Sequence, residues 1–253
     1  MSTSRTLGAL LIAVAVHAPA MGGPIAGNPL VDVPAGPFVF GPEGSDGKAG
    51  AGEVIEGRAF AMNRTEVTNA QYRRFVAATG HRPSFYDGHP VLGLDDRPVV
   101  GVSFTDADAF CRHHGLRLPS EQEYERAARG TKGARFPWGD ADPDLQRVNG
   151  GSAVCCNSDD GDGYAFTASA DAFDRGASPE GILNLVGNVW EWTRDGYAPY
   201  GSAAAAEASK FRVLRGGSWN SDAAHLSTTY RLAYAPDFRF AANGGFRCVM
   251  SEP

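Results

Sequence analysis

Apolar and polar residues alternate with a helical period in only three stretches, all before Gly130. In the first, Thr68 followed three residues later by Gln71 is a capping box; Tyr72, Phe75 and Val76 form one apolar stripe, and Gly80 ends it. Thr105 with Asp108 opens a second helix that carries Phe104, Ala109 and Phe110 and stops at Gly115. Ser120 with Glu123, directly after Pro119, opens a third that runs to Gly130. Beyond Gly130 the helical period disappears. The rest of the chain is turn chemistry at Gly150-Gly151, Asp159 to Gly163, Gly216-Gly217 and Gly244-Gly245, separated by short β-type runs at Val189 to Thr193, Arg212 to Arg215 and Phe246 to Met250. The pattern predicts an α+β class that is loop-rich, with low regular secondary structure. No internal repeat and no Pro/Ser linker divides it, so residues 30–251 read as one domain.

The first two dozen residues have a different character. Arg5 precedes an apolar run, Leu7 to Val16, too short to span a membrane, and Ala18-Pro19-Ala20 offers small residues to a signal peptidase. Residues 1–20 therefore read as a secretory signal peptide, with the mature chain beginning near Met21 and lying in the periplasm or outside the cell. That compartment is oxidising, so Cys111, Cys155, Cys156 and Cys248 are candidates for pairing, in any of three connectivities.

Composition narrows the class. With 253 residues, 43% of them hydrophobic and 21% charged, the chain is long enough and apolar enough to bury a sizeable core. A formal charge of −6 supplies no basic field for a phosphate backbone, which argues against nucleic acid as a partner. Outside residues 7–16 no stretch is apolar enough for a bilayer, so no membrane partner is expected once the signal is cleaved.

Several chemical motifs fail on inspection. The glycine-rich stretch Gly41 to Gly52 has Pro42 where a phosphate loop needs glycine and Ala49 where it needs Ser or Thr. His113 and His114 are adjacent on a helix, so their side chains diverge by roughly 100° and do not share a metal unaided. Cys155-Cys156 lack the spacer of a redox or zinc motif, and no serine sits in a Gly-x-Ser-x-Gly elbow.

A series of segments in fixed order does rise above background. Asn63-Arg64-Thr65-Glu66-Val67-Thr68-Asn69, Arg97-Pro98-Val99-Val100-Gly101-Val102-Ser103, Gly115 to Glu125 and Phe136-Pro137-Trp138-Gly139-Asp140 fill the first half. Asn184-Leu185-Val186-Gly187-Asn188-Val189-Trp190-Glu191-Trp192, Arg215-Gly216-Gly217-Ser218-Trp219 and Gly245-Phe246-Arg247-Cys248 fill the second. Over roughly residues 30 to 250 the chain resembles the sulfatase-modifying-factor family, the fold of formylglycine-generating enzyme. The resemblance implies a C-type-lectin-like fold, in agreement with the loop-rich pattern, and a disulfide between Cys111 and Cys248. Both cysteines lie in apolar segments that also carry a phenylalanine and can face one core; two bridges from Cys155 and Cys156 to other elements are the competing arrangement.

Calcium is the cofactor the resemblance implies. Asn184, Gly187, Val189 and Glu191 offer an amide oxygen, two carbonyls and a carboxylate, hard oxygen ligands of the kind calcium takes, and they match one family site. Asn149, the carbonyl of Gly150, Asp162 and the carbonyl of Tyr164 match a second, beyond a loop holding Asp159, Asp160 and Asp162. Clustered acids of this kind also suit a solvated turn. Copper is disfavoured. Copper(I) needs soft thiolates, and the two cysteine positions after the Arg-Gly-Gly-Ser stretch that supply them in formylglycine-generating enzyme are Ser221 and Leu226 here. Ser218 and Trp190, which match residues lining the family's active-site cleft, remain.

Three functions are compatible with this sequence. The first is an exported ligand-binding or accessory module whose protein or small-molecule ligand meets Trp219, Asp222, His225 and Tyr230. The second is an oxygen-dependent oxidoreductase of the same family with altered active site and substrate, using Asp222, His225 and Tyr230 near Ser218. The third is a retroelement-diversified variable binding protein, since residues 220–243 contain no Lys, Gln, Glu, Met or Trp, the types that adenine substitution in Asn-type codons cannot encode. The first accounts best for the missing thiolates.

Overall fold

The structure is a computed structural model that describes residues 24–41, 52–151, 157 and 160–251. The signal reading of residues 1–20, the vicinal Cys155-Cys156 and most of the Gly41 to Gly52 stretch lie outside the described residues.

Three small sheets and three capped helices surround the core. Strands β1 (Leu30–Val33), β4 (Phe60–Asn63) and β9 (Val249–Ser251) form an antiparallel sheet in the order β1-β4-β9. Met62 lies opposite both Val31 and Val249, so the two ends of the domain are stitched to one strand. Strands β2 (Gly36–Phe40) and β3 (Glu53–Gly57) make a hairpin. The third sheet, in the order β7-β6-β5-β8, contains β5 (Trp190–Gly196), β6 (Arg212–Arg215), β7 (Arg231–Tyr234) and the two-residue β8 (Gly244–Gly245), which runs parallel to β5.

Helix α1 (Asn69–Thr79) begins at the predicted Thr68/Gln71 box and ends at Gly80, whose φ of +70° is the left-handed conformation that glycine adopts without strain. Helix α3 (Glu121–Arg129) likewise uses Ser120 and Glu123. Helix α2 (Phe104–His113) corrects the expected start at Thr105: the cap is Ser103, whose hydroxyl accepts the N–H of Asp106 at 3.2 Å while Asp106 accepts the N–H of Ser103 at 2.9 Å. The frame shifts because Asp106 is also held by Arg82, whereas Asp108 faces outward to Arg112. A further short helix, α4 (Ala203–Glu207), corrects the expectation of no helix beyond Gly130; its alanine run has no apolar stripe to detect and no buried residue. Among the described residues no helix is long and apolar enough to cross a membrane.

The main core gathers Tyr72, Phe75, Phe110, Trp190, Trp192 and Phe246 around the predicted Cys111–Cys248 disulfide, whose Cα atoms lie 5.6 Å apart. Arg215 of β6 is buried between Glu121 and Glu125 of α3, at 2.9 and 2.6 Å, which clamps the helix to the central sheet. Between α3 and β5 the described chain has only a 3₁₀ turn at Asp174–Gly176, and this long connection carries half of the candidate site.

Candidate functional site

Three loops meet at Asn149 to Gly151. The N–H of Asn188 donates to the Asn149 carbonyl at 2.8 Å, and the Asn149 side-chain amide donates to Asn188 Oδ1 at 3.1 Å and to the Phe166 carbonyl at 2.9 Å. On the other side, the Gly151 N–H donates to the Ser221 carbonyl at 2.8 Å. Gly187 has a φ of +84°, and a Cβ there would lie 2.5 Å from the Asn149 carbonyl oxygen, so the approach of these two loops requires glycine. The segments holding the two expected calcium sets and the two copper-position residues are thus one connected unit.

The two calcium sets present different chemistry. Asn149 Oδ1 is buried and has no hydrogen-bond donor among the described residues, which suits a hard cation: a buried acceptor left unmatched is costly. Asp162 Oδ1 accepts the Tyr164 N–H at 2.9 Å, so the acidic turn is folded back on itself. In the Asn184 set the carboxylate is committed elsewhere. The Glu191 carboxylate takes Arg247 Nε and Nη2, both at 2.7 Å, together with the Tyr124 hydroxyl at 3.1 Å. The Asn184 amide donates to Glu66 at 3.2 Å and to the Ala170 carbonyl at 3.0 Å. Among the described residues no three His, Cys, Asp or Glu side chains gather closely enough to hold a metal, so a cation here would need amide and carbonyl oxygens beside any carboxylate.

Glu66, within the Asn63 to Asn69 segment, is a residue the sequence did not single out. It is fully buried, accepts Asn188 Nδ2 at 2.9 Å, and lies 3.9 Å from Arg247. Burial, with Glu191 nearby, pushes its carboxyl up from 4.5 to about 8 despite the opposing pull of Arg247. Its only sequence signal is a carboxylate within a polar motif that otherwise reads as a helix start.

Neither of the two positions matched to copper ligands carries a thiolate. Leu226 is 3% exposed and packs with Phe136, Val148 and Val186, seated over Gly150 and Gly217. Ser221 is spent internally: its Oγ accepts the Ser218 N–H at 3.0 Å and lies 3.3 Å from Ser218 Oγ. Ser218, with no exposed surface, donates to Asn220 Oδ1 at 2.8 Å, and Asn243 Nδ2 reaches both Asn220 Oδ1 at 2.9 Å and Ser218 Oγ at 3.3 Å. Asn220 and Asn243 therefore seal the matched active-site serine, a role visible only in three dimensions.

Beside this knot stands an accessible group. His225 Nδ1 lies 2.5 Å from Asp222 Oδ1, which also accepts the N–H groups of Ala224 and His225. The hydrogen bond from His225 holds the Asp222 carboxyl below its ordinary value, so the carboxylate stays charged and fixes Nδ1 as the donor. His225 Nε2 has no partner among the described residues. The His225 ring lies 4.5 Å from Tyr230, whose ring lies 5.9 Å from Trp190. Tyr230 is exposed and Trp190 buried, so Tyr230, His225 and Asp222 are reachable where Trp190 is only backing. Trp219 is likewise buried, its indole N–H held by the Ala242 carbonyl at 3.2 Å.

Loop-rich architecture, central WEW strand and sealed serine define a C-type-lectin-like domain of the kind formylglycine-generating enzymes use. Residues 24–252 match the sulfatase-modifying factor enzyme 1-like domain model, and the chain belongs to that family. It is 33% identical to formylglycine-generating enzyme of Bos taurus, over 90% of this chain and 76% of that protein. It is 31% identical to inactive C-alpha-formylglycine-generating enzyme 2 of Mus musculus, over 88% of this chain and 85% of that protein. Among solved structures, PvdO from Pseudomonas aeruginosa superposes with a TM-score of 0.72 at 23% identity, over 88% of this chain and 94% of that one, a likeness of fold.

Proposed function

We propose that this protein is a copper-independent member of its family that works as an exported ligand-binding or accessory module. The carrying observation is Leu226: an apolar side chain in a packed nest stands where the resemblance places a thiolate, and its partner position holds a serine hydrogen-bonded to Ser218. The similarity to a relative named as inactive supports the same reading. The ligand, a protein or a small molecule, meets Tyr230, His225 and Asp222, the accessible side chains beside the buried Ser218; nucleic acid and membrane are not part of the reading. Calcium, when bound, serves structure. The donorless oxygen of Asn149 speaks for the set Asn149, Gly150, Asp162 and Tyr164, which would tie two loops together. The set Asn184, Gly187, Val189 and Glu191 is the weaker candidate, because Glu191 is matched by Arg247. Export agrees with the Cys111–Cys248 bridge, which persists in an oxidising compartment.

Oxygen consumption in the presence of Cu(I) and a cysteine-containing peptide tests the proposal. No uptake above the peptide-free control is expected, and copper-dependent uptake with peptide oxidation would overturn it. A second reading, an oxidoreductase of altered chemistry, is favoured by one observation: the Asp222-held His225 presents an open Nε2 suited to proton transfer.

A further inference from the structure

A cavity of about 450 Å³ lies away from the cleft, between the end of α3, the Pro137–Gly139 turn and residues 177–180. Its size is that of a small-ligand site. Trp138 forms one wall. Its ring is stacked on Phe136 at 5.0 Å and 3° from parallel, and the Arg135 guanidinium lies over the Phe136 ring at 4.8 Å. Phe136 thus carries a cation and a stacked ring, and Trp138 is the ring of the pair that lines the cavity. The indole N–H donates to the Ala141 carbonyl at 3.0 Å, so the ring is fixed in place before anything binds. Pro137 and Pro179 add rigid apolar walls.

The charges around the cavity do not cancel. Arg129 is paired with Glu125 at 2.9 Å and Glu180 with Arg126 at 3.0 Å. Lys132 lines the same cavity and has no ion-pair partner among the described residues. Arg129 adds a buried Nε that lacks an acceptor among the described residues. On a chain whose formal charge is −6, this local excess of positive charge is not a general property of the surface.

We propose that this cavity is a binding site for a small planar monoanion, its simplest form an aromatic carboxylate. The ring completes the stack on Trp138 and the carboxylate meets the Lys132 ammonium. The inference is independent of the reading of the cleft: nothing in it uses Ser218, Ser221 or His225.

Titration of the full chain with 4-hydroxybenzoate, followed by calorimetry, tests the proposal against two controls, 4-methylphenol, which keeps the ring without the charge, and cyclohexanecarboxylate, which keeps the charge without the aromatic face. Saturable 1:1 binding of 4-hydroxybenzoate is expected, with each control about tenfold weaker or more. Lys132→Gln, a surface change that leaves the fold alone, should weaken 4-hydroxybenzoate about tenfold, and Trp138→Ala should abolish binding. No saturable binding, or equal affinity in wild type and Lys132→Gln, would overturn the proposal. Because Trp138→Ala removes a packed ring, its melting curve is recorded alongside; if it is unfolded, the Lys132→Gln and control-ligand arms decide alone.

Discussion

Leu226 lies where a metal-binding thiolate would have to stand, and its surroundings are those of a core residue. Phe136, Val148 and Val186 pack around it, and Gly150 leaves room for it: a Cβ there would come within 2.6 Å of Leu226 Cδ1. Leu226→Ala should lower unfolding stability by about 2–5 kcal/mol, the cost of lost burial plus a cavity, read from urea midpoints at unchanged m-value. Asp106 makes a separate prediction. Burial works against its charge, but hydrogen bonds from Arg82, the Ser103 N–H and hydroxyl, and His81 hold it down at about 2. A carboxyl lowered from 3.8 to about 2 on folding contributes stability that is full above the unfolded value and lost as pH falls from 3.8 through 2. The amount is about 2 kcal/mol. Asp106→Asn should remove that part of the acid-side loss, and melting curves between pH 2 and pH 5 would show a steeper slope in wild type than in the variant; equal slopes would contradict the assignment.

At the scale of elements, the ends of α1 and α3 were legible because a capping box is a local device: Thr68 with Gln71 and Ser120 with Glu123 need nothing from the rest of the chain. The start of α2 was not, because two overlapping Ser/Thr-to-Asp spacings compete and the choice falls to Arg82, a residue distant in sequence. The N-terminal strands escaped for a related reason: β2 and β3 are short, half-exposed and carry Gly and Pro, and β4 is buried at all four positions, so no alternation marks it. The Cys111–Cys248 bridge spans α2 and the segment between β8 and β9, 137 residues apart. In the chain-entropy model its loss costs about 4–5 kcal/mol, so Cys111→Ser/Cys248→Ser should shift the urea midpoint strongly; a shift of less than about 1 kcal/mol would show that the core holds these elements unaided. Arg215→Met should cost about 1–3 kcal/mol, because Glu121 and Glu125 each lose one buried charged partner while keeping Arg231 and Arg129.

For the whole molecule, the family-specific segments carried the fold and the site to very different depths. Asn184 to Trp192 and Arg215 to Trp219 placed the central sheet and Ser218, and the structure puts them side by side. They did not reveal Glu66, Asn220 or Asn243, whose roles come from contacts across loops: Glu66 reaches Asn188 from 122 residues away. Nor did they show that the Glu191 carboxylate faces Arg247, a pairing across 56 residues. The long connection between α3 and β5 holds few regular elements, so a cation at Asn149 would stabilise the molecule as a unit. Chelation should lower the melting temperature and added Ca²⁺ restore it, with the difference removed by Asn149→Ala and retained in Glu191→Gln. Identical curves with and without chelator would remove calcium from the account.

The central claim is that the fold persists here without its copper chemistry, and Cu(I) stoichiometry under anaerobic conditions tests it most directly. After loading and desalting, the wild-type chain should retain no stoichiometric copper, while Ser221→Cys/Leu226→Cys, which restores two soft ligands, should retain more. One copper per wild-type chain, held through desalting, would contradict the account.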